Sequence, residues 1–164
     1  MAATDGPPLL ILAPDLRRGI LADCRARFPA EACGLLLGRD EPAGIRIAEV
    51  VAAPNVDPRP DRFEVDPAIL FATHRRLRAA GAAEAAPGAP IDPAKPAPLR
   101  LVGHYHSHPH GPARPSACDR RRASEPGAIW VIAASAPETG EAEAFRAFLF
   151  DDPDFREMAI LLDP

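Results

Sequence analysis

Apolar and polar positions alternate in blocks that read as a succession of helices and strands. Leu9–Leu12 is a short apolar run, suited to a first strand or a hydrophobic entry segment. Pro14 fits the first turn of a helix, where its missing N–H costs nothing. Leu16, Ile20, Cys24 and Phe28 then recur at helical spacing, with Arg17, Arg18, Arg25 and Arg27 on the other faces, until Pro29 ends the helix. Residues 33–38 form a continuous apolar run, the pattern of a strand buried on both faces. A turn at 40–44 leads into an alternating return strand over 45–52. A proline-rich loop at 55–61 and a short extended piece at 63–65 follow. Asp66-Pro67 supplies an N-cap and a first-turn proline for a second helix. Its inner face is Ile69, Leu70, Thr73 and Leu77, and Gly81 is expected to end it.

Residues 82–98 are mostly alanine and proline, too poor in large apolar groups to offset their ordering entropy. They are expected to form a mobile loop, either a neutral insertion or a flap over a nearby site. Beyond it, 99–108 reads as a strand stopped by Pro109, 116–124 as a short helix and 128–134 as a strand. A final strand pair at 144–151 and 157–162 turns at Asp152-Pro153. Helices between strands early and strands dominating late predict an α/β fold: a mixed sheet with helices packed on it. A chain of 164 residues fits one domain, 1–164, with a core that needs no disulfides.

Composition narrows the partners. A net charge of −4 argues against nucleic-acid binding. No apolar run approaches the ~20 residues of a membrane span. Residues 1–8 carry no basic group ahead of the first apolar stretch, unlike a secretory signal. With three cysteines and no disulfide framework, the cytoplasm is the expected location.

Four of the five histidines fall within seven residues: His104, His106, His108 and His110. On a strand, His106 and His108 project from one face and can grip a single metal ion. The next carboxylate is Asp119, near a helix start. Two histidines and a carboxylate leave one position of a tetrahedral zinc for water, the pattern of a catalytic site; other first-row metals also accept such donors. Chemistry at such a site needs a base, and Glu31, at the edge of the buried strand, is the best-placed carboxylate.

The segment His106-Ser107-His108-Pro109, followed by Ser116-Ala117-Cys118-Asp119, resembles the JAMM signature of MPN+ zinc metalloproteases. Seven residues separate His108 from Ser116. The segment 29–38, carrying Glu31, is similar to the family's glutamate-bearing segment in its short prokaryotic form. Phe63-Glu64-Val65-Asp66-Pro67 resembles its lead into the second helix. The resemblance implies the three-layer α/β/α JAMM/MPN (cytidine-deaminase-like) fold. It implies one Zn2+ per chain on His106, His108 and Asp119, Glu31 as general acid/base, and Ser116 stabilising the oxyanion. The implied reaction is hydrolysis of a peptide or isopeptide bond at the C-terminal tail of a ubiquitin-like or sulfur-carrier protein. The alternatives are a non-catalytic MPN-type interaction module and a peptidase of cell-wall or phage-tail peptides.

Other readings stay beside these. Ser-x-x-Asp at a helix start is also a capping box, and Ser116 can serve both purposes. His104 and His110 share the parity of the pair but are expected not to be ligands. His104 stands about 7 Å from His106 along a strand, and Pro109 breaks the geometry before His110. Cys118 lacks any sign of activation, and Cys24 and Cys33 are expected in the core. Arg120-Arg121-Arg122, with Arg114, is either a solvated face or a patch that steers an acidic partner.

Overall fold

The computed structural model describes residues 9–84, 96–135 and 142–163. Among these residues, seven strands and three helices follow in the order β1 (Leu9–Leu12), α1 (Pro14–Arg27), β2 (Cys33–Glu41), β3 (Gly44–Ala53), α2 (Pro67–Glu84), β4 (Arg100–His108), α3 (Ala117–Arg122), β5 (Ile129–Ser135), β6 (Ala142–Asp151) and β7 (Asp154–Leu162). The sheet is mixed, as the sequence predicts. Parallel pairs join β1 to β3, β1 to β7 and β4 to β5, and the remaining neighbours are antiparallel. The order β1-β3-β2-β4-β5-β6-β7 closes on itself because the four-residue β1 pairs on both sides. Closure removes the unpaired edges that an open sheet of these strands would present.

The helix α1 forms where the apolar spacing places it, with Pro14 in its first turn and Arg25 and Arg27 near its negative C-terminal end. Ile20 and Cys24 on its inner face pack with Leu10, Leu36, Tyr105 and Val131. Removing such side chains from water contributes about 1.5–3 kcal/mol for each Leu or Ile. The Tyr105 hydroxyl donates to Asp23 Oδ2 at 2.7 Å, and Arg27 Nε donates to Asp23 Oδ1 at 2.8 Å. Gly34 lies opposite Tyr105, and a Cβ there would land in the Tyr105 ring. That close approach explains a glycine inside the buried part of β2.

The opposite face of the sheet carries a second cluster of Trp130, Ile132, Phe148 and Phe150, against which Phe63 and Ala123 pack. A cavity of about 530 Å³ separates α2 from β4, lined by Leu70 and His74 of the helix and by Leu35, Leu101 and His104 of the sheet. β4 therefore runs between α1 on one face and α2 and α3 on the other, the layering the sequence implies.

The boundary at Gly81 is different. The helix α2 continues through Gly81 to Glu84, since one glycine flanked by alanines costs about 1 kcal/mol and does not stop a helix. The first residues of the stretch expected as a loop at 82–98 are thus helical. Its middle, 85–95, lies outside the described residues. Among the described residues no helix is long and apolar enough to cross a membrane.

Candidate metal centre

Strand alternation points Tyr105 and Ser107 toward α1 and leaves His104, His106 and His108 on the opposite face. Pro109 ends the strand, and residues 109–115 carry the chain round to Ser116, the N-cap of α3. There the capping box is complete: Ser116 Oγ accepts from the Asp119 N–H at 3.1 Å, and Asp119 Oδ2 accepts from the Ser116 N–H at 2.7 Å. The cap fixes the Asp119 side chain and turns its carboxylate toward β4.

Three donor atoms converge as a result. His106 Nε2 and His108 Nε2 face each other at 3.0 Å. Asp119 Oδ1 lies 3.6 Å from His106 Nε2, and Asp119 Oδ2 lies 3.3 Å from His108 Nε2. Ligands about 2.0–2.1 Å from a tetrahedral zinc stand ~3.3 Å from one another, and these separations bracket that value. All three residues are buried. The Nδ1 of His108 lies 2.7 Å from the Pro112 carbonyl. A carbonyl only accepts, so Nδ1 carries the hydrogen and Nε2 keeps its lone pair for the cluster. His106 is oriented differently. Among the described residues its Nδ1 has no hydrogen-bond partner, and its ring stacks on Phe63 at a centroid distance of 4.3 Å. The donor set and its spacing therefore fit a metal ion.

Glu31 sits in the turn between α1 and β2 and is also buried. Burial pushes its carboxyl pKa up to about 7; His108 pulls it down, while Asp119, Asp61 and Asp57 push it up. Glu31 precedes Ala32, whose N–H and carbonyl both bond to Ser107, the residue between His106 and His108, so its backbone lies against the histidine strand. Asp119 behaves oppositely. Burial raises its pKa, but hydrogen bonds from His106, His108 and Ser116 outweigh burial and keep it an anion. In metal-free protein, Glu31 should titrate near pH 7 by carbon-13 NMR, protonated below and ionised above. A dication bound next to it favours the carboxylate, so zinc should move the midpoint down. A midpoint indifferent to zinc contradicts the proximity.

The comparisons with known proteins bear on this geometry. Residues 13–148 match the family described as prokaryotic homologs of the JAB domain. The chain belongs to the JAB family. It is 35% identical over 127 residues to the desampylase of Haloferax volcanii, covering 75% of this chain and 78% of that protein. It is 33% identical over 111 residues to the probable TtuB-protein conjugate cleaving protease of Thermus thermophilus, covering 65% of this chain and 60% of that protein. The crystal structure of AF2198, a JAB1/MPN domain protein from Archaeoglobus fulgidus, superposes with a TM-score of 0.52 at 17% identity, covering 92% of this chain and 97% of that one. At that identity it speaks for the JAB/MPN fold alone.

The structure brings His106, His108 and Asp119 together, with Ser116 capping the helix that carries Asp119, and it sets the peptide after Glu31 against Ser107 of the histidine strand. His104 stays outside the cluster. It packs against Trp130 at a centroid distance of 4.1 Å and against Phe63, and burial pushes its pKa down to about 3, so it is neutral. His110 is exposed, edge-on to Phe28. Cys24 and Cys33 are buried, as expected. The arginine run is only partly a solvated face. Arg122 donates to the Phe63 carbonyl at 2.6 Å and lies 4.0 Å from Asp57, and Arg120 rests over the Phe155 ring. Sequence reasoning missed Phe63 as the partner of His106. Its place in the Phe63-Glu64-Val65-Asp66-Pro67 segment was the available signal.

Proposed function

We propose that this chain is a zinc-dependent hydrolase that cuts a peptide or isopeptide bond at the C-terminal tail of a ubiquitin-like or sulfur-carrier protein. The observation that carries this reading is the convergence of two imidazole nitrogens and a carboxylate in one buried cluster. His106, His108 and Asp119 would hold one zinc. When bound, that ion supplies Lewis-acid polarisation of the scissile carbonyl and makes water a competent nucleophile near neutral pH. Glu31 takes the proton from the attacking water and returns it to the leaving amine, a role suited to a carboxyl whose pKa lies near the working pH. Ser116 Oγ uses a lone pair to accept from the Asp119 N–H, and its O–H is a donor at the edge of the cluster, beside the Asp119 carboxylate. That donor stabilises the negative charge that develops on the carbonyl oxygen.

The substrate class is supported by the two relatives, one named a desampylase and the other a probable protease of TtuB-protein conjugates. The test is to incubate zinc-loaded protein with three substrates. They are a ubiquitin-like carrier joined through its C-terminal glycine to a lysine side chain, a sulfur carrier extended by one C-terminal residue, and a short muropeptide. Mass spectrometry should find the carrier released with a free C-terminal carboxylate, the reaction blocked by chelation and the muropeptide intact. Binding of the carrier without cleavage would return the chain to the interaction-module reading. Muropeptide cleavage alone would make it a cell-wall peptidase.

A further inference from the structure

Glu31 lies in a turn without regular structure, so no strand ladder or helix holds its backbone. A carboxyl that must meet one water and one leaving group cannot be left to a loose turn. A displacement of about 1 Å at a reacting group can cost ~100-fold in rate. What holds it is visible in two hydrogen bonds that meet on a single peptide unit. The Glu31 carbonyl accepts from Asn55 Nδ2 at 3.1 Å. The N–H of the same peptide, that of Ala32, donates to Ser107 Oγ at 2.8 Å.

Both side chains are themselves over-determined. Asn55 lies just beyond β3. Its Nδ2 also donates to the Arg62 carbonyl at 2.9 Å, and its Oδ1 accepts from the Asp57 and Glu64 N–H groups, each at 3.0 Å. Its two donors and its acceptor are thus all engaged. Ser107 is buried and stands between His106 and His108 on the opposite face of β4. Its own N–H donates to the Ala32 carbonyl at 3.0 Å. Rotating the Glu31–Ala32 peptide breaks one bond or the other and strands a polar group away from water. One bracket, rooted in the histidine strand, therefore ties the orientation of Glu31 to the two imidazoles.

We propose that Asn55 and Ser107 are positioning residues that clamp the peptide after Glu31 from both ends and so aim its carboxyl at the reacting atoms. This rests on the reading of Glu31 as the proton carrier. Neither residue touches substrate or metal; each acts through Glu31.

The test uses the full chain, zinc-loaded, with the lysine-linked carrier conjugate. Ser107→Ala removes the acceptor for the Ala32 amide, and Asn55→Asp removes the donor to the Glu31 carbonyl while keeping the loop acceptor. Each should lower kcat about 10–100-fold with KM within about twofold and zinc content unchanged. Ser107→Thr, which keeps the hydroxyl, should restore most of the rate. Hydrogen exchange of the Ala32 amide, read by NMR on metal-free protein, should accelerate in Ser107→Ala and return in Ser107→Thr. In a Glu31→Gln background, Ser107→Ala should cost nothing further, because the group it positions is already gone. Three results overturn the clamp: an equal loss in that background, loss of zinc in the clamp variants, or a wild-type kcat in Ser107→Ala when Glu31→Gln is inactive. A fully active Glu31→Gln protein overturns instead the role of Glu31 on which the clamp depends.

Discussion

Replacing Glu31 with glutamine should leave zinc bound and lower kcat on a carrier conjugate by ~10²–10⁴-fold, the range associated with a positioned general acid/base. Glutamine matches the size of glutamate and keeps the backbone contacts of residue 31, so the turn should survive. Glu31 is absent from the donor cluster of His106, His108 and Asp119, so metal affinity should change little. The loss should therefore fall on kcat rather than KM. Removing a buried carboxyl that resists ionisation, with a pKa pushed up to about 7, should also stabilise the metal-free protein slightly at alkaline pH. That sign follows from linkage: a carboxyl raised above its unfolded pKa destabilises the folded state wherever it must ionise. Steady-state kinetics with metal analysis of the same sample decides the point. A Glu31→Gln protein with unchanged kcat would remove the residue from the reaction.

Asp119→Asn should produce a comparable loss of activity by a different route. The side-chain oxygen of asparagine can still accept the Ser116 N–H bond that Asp119 Oδ2 now accepts, so α3 keeps its cap. The amide nitrogen then takes the Oδ1 position facing His106, where it cannot ligate, and the oxygen left beside His108 is neutral rather than anionic. Zinc affinity should fall by more than ~100-fold, since even loss of an outer partner costs about 10–100-fold. Thermal unfolding of the metal-free variant should stay within about 1 kcal/mol of wild type, at the low end of cap losses. Calorimetric zinc titration beside thermal melts separates the two effects. Unaltered zinc affinity would take Asp119 out of the ligand set.

What the sequence reveals of this site divides along physical lines. His106 and His108 are legible as a pair because strand side chains repeat every second residue, which holds once a strand is recognised. Asp119 and Ser116 are legible because a capping box has a local spacing, and the structure shows both of its hydrogen bonds. Glu31 is harder. It lies 75 residues from His106 in the chain, and its place at the edge of the buried strand and the likeness of its segment to a known family single it out, while no local spacing encodes its distance from the histidines. The stack of Phe63 on His106 and the four hydrogen bonds of Asn55 are long-range or loop-specific, and no periodicity encodes them. The same limit governs the fold. The strand β1 is readable as an apolar run, but its pairing with both β3 and β7, which closes the sheet, depends on contacts up to the far end of the chain. Gly81 misleads for the opposite reason. A local propensity there is overridden by the helix on either side of it.

The most direct test of the central claim is metal content, by elemental analysis, of the purified wild-type chain beside His108→Ala. The account predicts about one zinc per wild-type chain and a loss of zinc in the variant, with the fold retained. A wild-type chain that takes up no zinc after careful handling and zinc add-back, or a His108→Ala chain that holds as much, would contradict it.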